Sequence, residues 1–180
     1  MPALSVDLTV NESDPALWDA DTAVAVLHAA HYRRLVRTSA LLVRDLATAE
    51  EVVQDAFVGL YTRWSKLRDP DAALGYLRQA VVNGSRSALR RRGTAERAEP
   101  VLRAIPDVSP DPAGDVSARR DVLAALAELP ERQREVLVLR YYGDLSEAEI
   151  AEALGVSRGA VKSYASRGAA ALRPILETLR

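Results

Sequence analysis

"LSEAEIAEALGVSRGAVKSYASRG", Leu145 to Gly168, decides the fold class. Ser146 followed three residues later by Glu149 is a capping box, in which the hydroxyl accepts from the N3 amide and the carboxylate reaches back to the cap amide. Ile150 and Leu154 then share one inward face. Gly155 stands where the chain must leave the helix with positive φ, a conformation costly for most other residues. Val156 plugs the corner and Ser157 caps a second helix. In that helix Val161, Ala165, Gly168 and Leu172 recur along one buried face, with Arg158, Lys162, Ser163 and Arg167 on the other side. No carboxylate occurs from Arg158 to Arg173, and one of the chain's only two lysines, Lys162, lies there. The alternative is a helical hairpin whose outer charges are merely solvated. Two caps, a small-residue turn and a cationic second helix predict a helix-turn-helix that contacts DNA. Upstream, "LPERQREVLVLRYYGD" supplies another helix, with Pro130 at its first position and Val136, Leu137 and Leu139 packed on the hairpin.

The rest of the chain is helical in composition as well as in period. It has 180 residues, 48% hydrophobic but only 5% aromatic, with Ala and Leu prominent. These two residues cost least to place in a helix. A net charge of −1 excludes a generic polyanion binder, so any nucleic-acid surface must be local. With no cysteine, disulfides and Cys-based zinc sites are excluded. No apolar run approaches a membrane span and the N-terminus lacks a signal-peptide pattern, so direct membrane insertion is not expected and a cytoplasmic protein is. Residues 1–20 read as a flexible tail, with Leu17 and Trp18 placed to dock on the first domain. Residues 21–92 form one helical domain, the proline-rich stretch 93–117 is a linker, and 118–180 form a second. The expected fold is all-α, two small helical domains joined by an extended linker.

In the first domain "TAEEVVQDAFVGLYTRW" begins with a capping pattern, Thr48 to Glu51. Val53, Phe57, Leu60 and Trp64 cluster on one face, while Glu51, Asp55, Val58 and Thr62 lie roughly opposite, flanked by Gln54. That outer face is either solvated or a docking surface for a basic partner, and the pattern alone favours solvation. In "YLRQAVVNGSRSALRRR", Leu77, Val81 and Ala88 form the buried side. Asn83, Arg86 and Arg90 face away, with Tyr76 beside them. An amide, an aromatic ring and arginines on one helix suit a strand with unstacked bases. Arginines near a helix C-terminus also favour the dipole, which accounts for Arg90 to Arg92 but not for Asn83 with Arg86. His28 and His31 sit at i, i+3 with no third ligand, so a half-buried role is expected and no metal site. Nothing in the sequence assembles a catalytic group, and no cofactor is expected.

"AEEVVQDAF", "YLRQAVVNGSRSALRRR" and "LPERQREVLVLRYYGDLSEAEIAEALGVSRGAVKS" resemble, in this order and spacing, the second and fourth conserved regions of extracytoplasmic-function sigma factors of bacterial RNA polymerase. The "VVNGSRS" and "SRG" variants are most similar to an actinobacterial, sigma-E-like group. The resemblance covers about Asp21 to Leu172 apart from the linker, and it implies a sigma factor that brings core polymerase to promoters and assists melting. It implies that Glu51, Gln54, Asp55 and Val58 meet the clamp helices of the largest polymerase subunit, turning a solvated face into a docking one. Asn83 matches a residue lining the pocket for a flipped base of the minus-ten element, with Tyr76 nearby. Arg86, Arg90 and Arg91 match basic positions on the promoter backbone. Arg158, Lys162, Ser163, Tyr164 and Arg167 fall on the recognition helix for the minus-thirty-five element. Tyr164 and Ala160 stand where the family commonly has a polar residue and a Thr. The flap of the second subunit and an anti-sigma factor are further partners the family admits. Asp107, Asp111 and Asp115 of the linker would mimic nucleic acid near the RNA exit path. The rival is a stand-alone helix-turn-helix regulator that binds duplex DNA as a dimer. It predicts tight DNA binding without polymerase.

Overall fold

The computed structural model describes residues 17–67, 69–92 and 116–178, and among them there are seven helices and no strand. The first bundle comprises α1 (Ala20–Val43), α2 (Leu46–Leu67) and α3 (Pro70–Arg92), which pack on one another. The second comprises α4 (Val116–Glu128), α5 (Glu131–Tyr141), α6 (Glu147–Leu154) and α7 (Arg158–Thr178), with α7 meeting each of the others. The all-α expectation holds. Residues 1–16 and 93–115, including Asp107, Asp111 and Asp115, lie outside the described residues.

Five of the seven helices, α1, α2, α3, α6 and α7, start where a side chain accepts from an orphan amide. Asp19 accepts from the Thr22 amide at 2.8 Å, which starts α1 just before the expected Asp21 and holds the Asp19 carboxyl below the usual carboxylate range. The cap of α2 is Asp45 and not Thr48: the Asp45 carboxylate accepts from the Thr48 amide at 2.9 Å and also bonds the Thr48 hydroxyl. Because α2 begins at Leu46, Thr48 is already its third residue and presents an amide to be capped. Pro130 likewise stands just outside α5, one position earlier than expected.

The core of the first bundle contains Val53, Phe57, Leu60 and Trp64 from α2 and Leu77, Val81 and Ala88 from α3, as the helical period requires. A buried hydrogen bond of 2.8 Å between the Ser39 and Ser85 hydroxyls joins α1 to α3, so neither polar atom is stranded. Trp18 does dock: its ring stacks on Trp64, and its carbonyl accepts from the Trp64 indole at 2.8 Å. Leu17 does not dock, being 78% exposed. With the carbonyl of Trp18 held, the side chain before it points to solvent.

In the second bundle the capping box is complete, with the Ser146 amide donating to Glu149 at 2.7 Å and the Glu149 amide donating to Ser146 Oγ at 3.3 Å. Those bonds hold the Glu149 carboxyl below its ordinary range. Gly155 has φ 64°. Val136, Leu137, Leu139, Ile150, Leu154, Val161 and Leu172 share one cluster. A Cβ at Gly168 would lie 2.8 Å from Leu137 Cδ1, so α7 crosses α5 closely and a larger residue there would have to displace the end of the Leu137 side chain.

Candidate nucleic-acid and partner interfaces

On α7 the buried positions Val161, Ala165, Gly168 and Leu172 turn the opposite side outward. Arg158, Lys162, Ser163 and Arg167 are all exposed, and Tyr164 is half-buried. The Arg167 guanidinium lies over the Tyr164 ring at 5.2 Å, and its Nε donates to the Ser163 carbonyl at 3.4 Å. The Tyr164 ring thus supports the Arg167 guanidinium. Among the described residues Glu147 is the carboxylate brought near: it pairs with Arg140 at 2.7 Å and stands 3.9 Å from Lys162 Nζ. Lys162 remains mostly exposed, so that contact tethers it weakly. The Ser157 hydroxyl accepts from the Ala160 amide at 3.1 Å, fixing the start of the helix that presents this face.

The α2 surface is equally clear. Glu51, Gln54 and Asp55 are exposed, and Val58 is 65% exposed although it is β-branched and apolar. The outer face continues through Tyr61, also largely exposed, and Thr62. Val58 and Tyr61 thus place apolar surface beside the three polar groups of this face. Tyr61 was not singled out by the sequence, because its place between the buried Leu60 and Trp64 gives it no signal of its own.

On α3 the expected set divides. Asn83, Arg90 and Arg91 are exposed. Tyr76 is not free: its ring packs against the first core, its hydroxyl accepts from Arg63 at 3.3 Å, and the Arg63 guanidinium lies 5.6 Å from the ring centre. This corrects the expectation of an open stacking platform, because α2 approaches through Gly59 and the tyrosine fills the gap. Arg86 is also engaged. Its guanidinium donates to the carbonyls of Ala153 and Leu154 at the end of α6, the latter at 3.4 Å. In this arrangement Arg86 is half-buried and serves as a cation at a helix C-terminus, not as an open phosphate contact. The α3 surface therefore offers Asn83, Arg90 and Arg91, with Arg63 added from α2.

His31 is half-buried, and burial together with Arg78 and Arg34 lowers its pKa. His28 is more exposed than expected but stacks on Tyr32 at 4.3 Å. Among the described residues no three His, Cys, Asp or Glu side chains come together as a metal site, and no helix is long and apolar enough to cross a membrane.

Comparison with known proteins agrees with this division into two units. The sigma-70 region 2 family matches residues 27–94, and sigma-70 region 4 matches residues 119–172. The RNA polymerase sigma-E factor of Streptomyces avermitilis is 36% identical over 145 residues, covering 80% of this chain and 79% of the relative. The ECF RNA polymerase sigma factor SigM of Mycobacterium tuberculosis is 32% identical over 148 residues, covering 81% and 73%. Among solved structures, the sigma factor RpoE of Bartonella quintana, crystallised with the anti-sigma factor NepR, superposes with a TM-score of 0.58 at 20% identity, over 88% of this chain and 94% of that one.

Proposed function

This chain belongs to the sigma-70 family as an RNA polymerase sigma factor of the extracytoplasmic-function, sigma-E-like type, and on that premise we propose how its residues divide the work of promoter recognition. Residues 21–92 serve as region 2 and residues 118–180 as region 4, with 93–117 between them. The α2 face of Glu51, Gln54, Asp55 and Val58, extended by Tyr61, docks on the clamp helices of the largest core subunit, and the second unit meets the flap of the second subunit. Asn83 receives an extruded base of the minus-ten element, since a carboxamide offers both a donor and an acceptor to a base edge. Arg90 and Arg91 neutralise the adjoining phosphates, and Arg86 joins them only once it leaves α6. Arg158, Lys162, Ser163 and Arg167 lie in the major groove of the minus-thirty-five element. The protein carries out no catalytic step of its own, needs no cofactor and works in the cytoplasm. An anti-sigma factor, the kind of partner bound to the structural neighbour, is a regulator compatible with this architecture.

One observation carries this division: two helix faces in different units, α3 and α7, are cationic and exposed, while a third, on α2, is acidic with exposed apolar groups. A single DNA-reading unit has no use for the third. We expect Asp55→Arg to abolish capture of core polymerase while leaving the melting curve unchanged, because a surface substitution costs less than about 0.5 kcal/mol. Pull-down beside circular dichroism checks both halves. Undiminished pull-down moves the docking surface elsewhere. A gel shift gives the complementary test: promoter DNA should be retained with core polymerase and only weakly without it.

A further inference from the structure

The two units meet at a seam where α1 and α3 lie against α5 and α6, with Leu41, Leu42 and Val82 of the first buried in the core cluster of the second. A cleft of about 560 Å³ opens between the last turns of α3 and the first turns of α5. That is the size of a small-molecule site, and such sites join an apolar wall to a few well-placed polar groups. Leu89 supplies apolar wall. The polar groups are the guanidinium ions of Arg86 and Arg90 from α3 and of Arg132 and Arg134 from α5, set against the carboxylates of Glu131 and Glu135.

The charges in this cleft do not balance. Glu135 is taken by Arg132 at 3.0 Å, which leaves Glu131, among the described lining residues, to answer Arg86, Arg90 and Arg134. Arg134 carries the surplus most plainly. Its Nε is buried with no hydrogen-bond partner among the described residues, while a terminal nitrogen donates to the Leu129 carbonyl at 3.3 Å. A buried donor of a cation is costly to leave unmade and calls for an acceptor. Burial first, and then the neighbouring Arg44, pull the Arg134 pKa down. Arg86 gives two of its five N–H donors to the carbonyls of Ala153 and Leu154 and keeps the others. Helix α5 also starts without a side-chain cap, so the positive end of its dipole stands at the same end of the cleft.

We propose that this cleft binds a diphosphate group, of the kind a nucleoside diphosphate carries. Guanidinium forks pair with phosphate oxygens two at a time. The arginines stand on two helices and outnumber the carboxylates by two, which matches two linked phosphoryl groups better than one. Leu89 leaves an apolar surface for the substituent that the diphosphate carries. Arg90 is also assigned above to promoter phosphates, so ligand and promoter draw on one guanidinium. The binding test contains no DNA and does not depend on that assignment.

Isothermal titration of the full-length protein with inorganic pyrophosphate, at fixed ionic strength and without divalent cations, should show one site per chain. Arg134→Gln should weaken binding about tenfold, the loss of one charge-assisted contact. Glu131→Gln, an exposed change that removes the opposing carboxylate, should tighten it about threefold, the size of an exposed charge interaction. Arg173→Gln removes the same charge as Arg134→Gln from an exposed place on α7 outside the lining, and should leave binding unchanged. Equal losses in Arg173→Gln and Arg134→Gln overturn the site, because the attraction then belongs to the whole surface. Orthophosphate binding as tightly as pyrophosphate also overturns it, as does the absence of binding. Should Arg134→Gln unfold by circular dichroism, Glu131→Gln decides, and no gain in that variant removes the site. A parallel titration with a nucleoside diphosphate separates the two sources. Tighter binding than pyrophosphate assigns the cleft to a nucleotide, and equal or weaker binding assigns it to the free diphosphate.

Discussion

The cationic helices of the two units look alike in sequence and behave differently in the fold. On α7 the arginines and the lysine face solvent, and the nearest carboxylate, Glu147, is 3.9 Å from Lys162. On α3 the corresponding groups are divided between solvent and the protein itself, since Arg86 is committed to α6 and Arg78 stands near Asp144. The difference lies in position within the fold. Helix α7 lies over its own bundle with its outer face exposed among the described residues, whereas α3 lies at the seam. An exposed charge run is thus a property of the assembled molecule as well as of the helix that carries it.

The comparison can be broken most directly at Asn83, one of the polar groups that α3 exposes. We predict that Asn83→Ala impairs promoter opening more than closed-complex formation, because an extruded base then loses the contacts that offset its unstacking cost of a few kcal/mol. Permanganate reactivity of thymines near the start site, set against footprinting upstream, reads this out. Normal melting at equal core occupancy would remove Asn83 from the site. Asn83 is exposed, so no cavity is expected from the truncation.

A smaller effect is expected on α7. Lys162→Ala with Arg167→Ala should weaken transcription from promoters that need the minus-thirty-five element, by about 1–3 kcal/mol for a bidentate contact and less otherwise. Core capture should persist. Transcription unaltered at moderate salt would mean that this face is only solvated, and the contrast with α3 would lose its functional meaning.

The smallest effect concerns Glu135, which is 3% exposed on α5 and bonded to Arg132 at 3.0 Å. Burial is the first cause raising its pKa, and Arg132 opposes it. A raised folded pKa means that the folded state holds the proton more tightly, so stability is gained as pH falls through that pKa and is complete below the unfolded value near 4.3. Glu149 runs the other way: its lowered pKa gives stability present above the unfolded value and lost as pH falls through the folded one. Glu135→Gln should therefore leave stability at neutral pH equal or slightly higher, within about 1 kcal/mol. It should also remove the gain on acidification toward the unfolded value that thermal melts of the wild type would show. An unchanged pH profile would mean that Glu135 titrates as an ordinary carboxylate.

The apolar period and the punctuation of the sequence determined much by themselves. The Ser146–Glu149 box, Gly155 and the spacing Val161, Ala165, Gly168, Leu172 specified the helix-turn-helix and which side of α7 faces out, because those interactions join residues within a few positions of one another. The same holds for the outward set Glu51, Gln54, Asp55 and Val58, which follows from where Phe57 and Leu60 must go. Only the tertiary structure decided the fate of Tyr76, Arg86, Leu41, Leu42 and Val82. Helical period states that a face is apolar or charged, but it does not say what surface arrives to meet it. Arg86 finds its partners 67 and 68 residues away, across a junction that no local pattern encodes. A long-range contact of this kind exists only because the two bundles present complementary surfaces in space, and helical period describes one helix at a time.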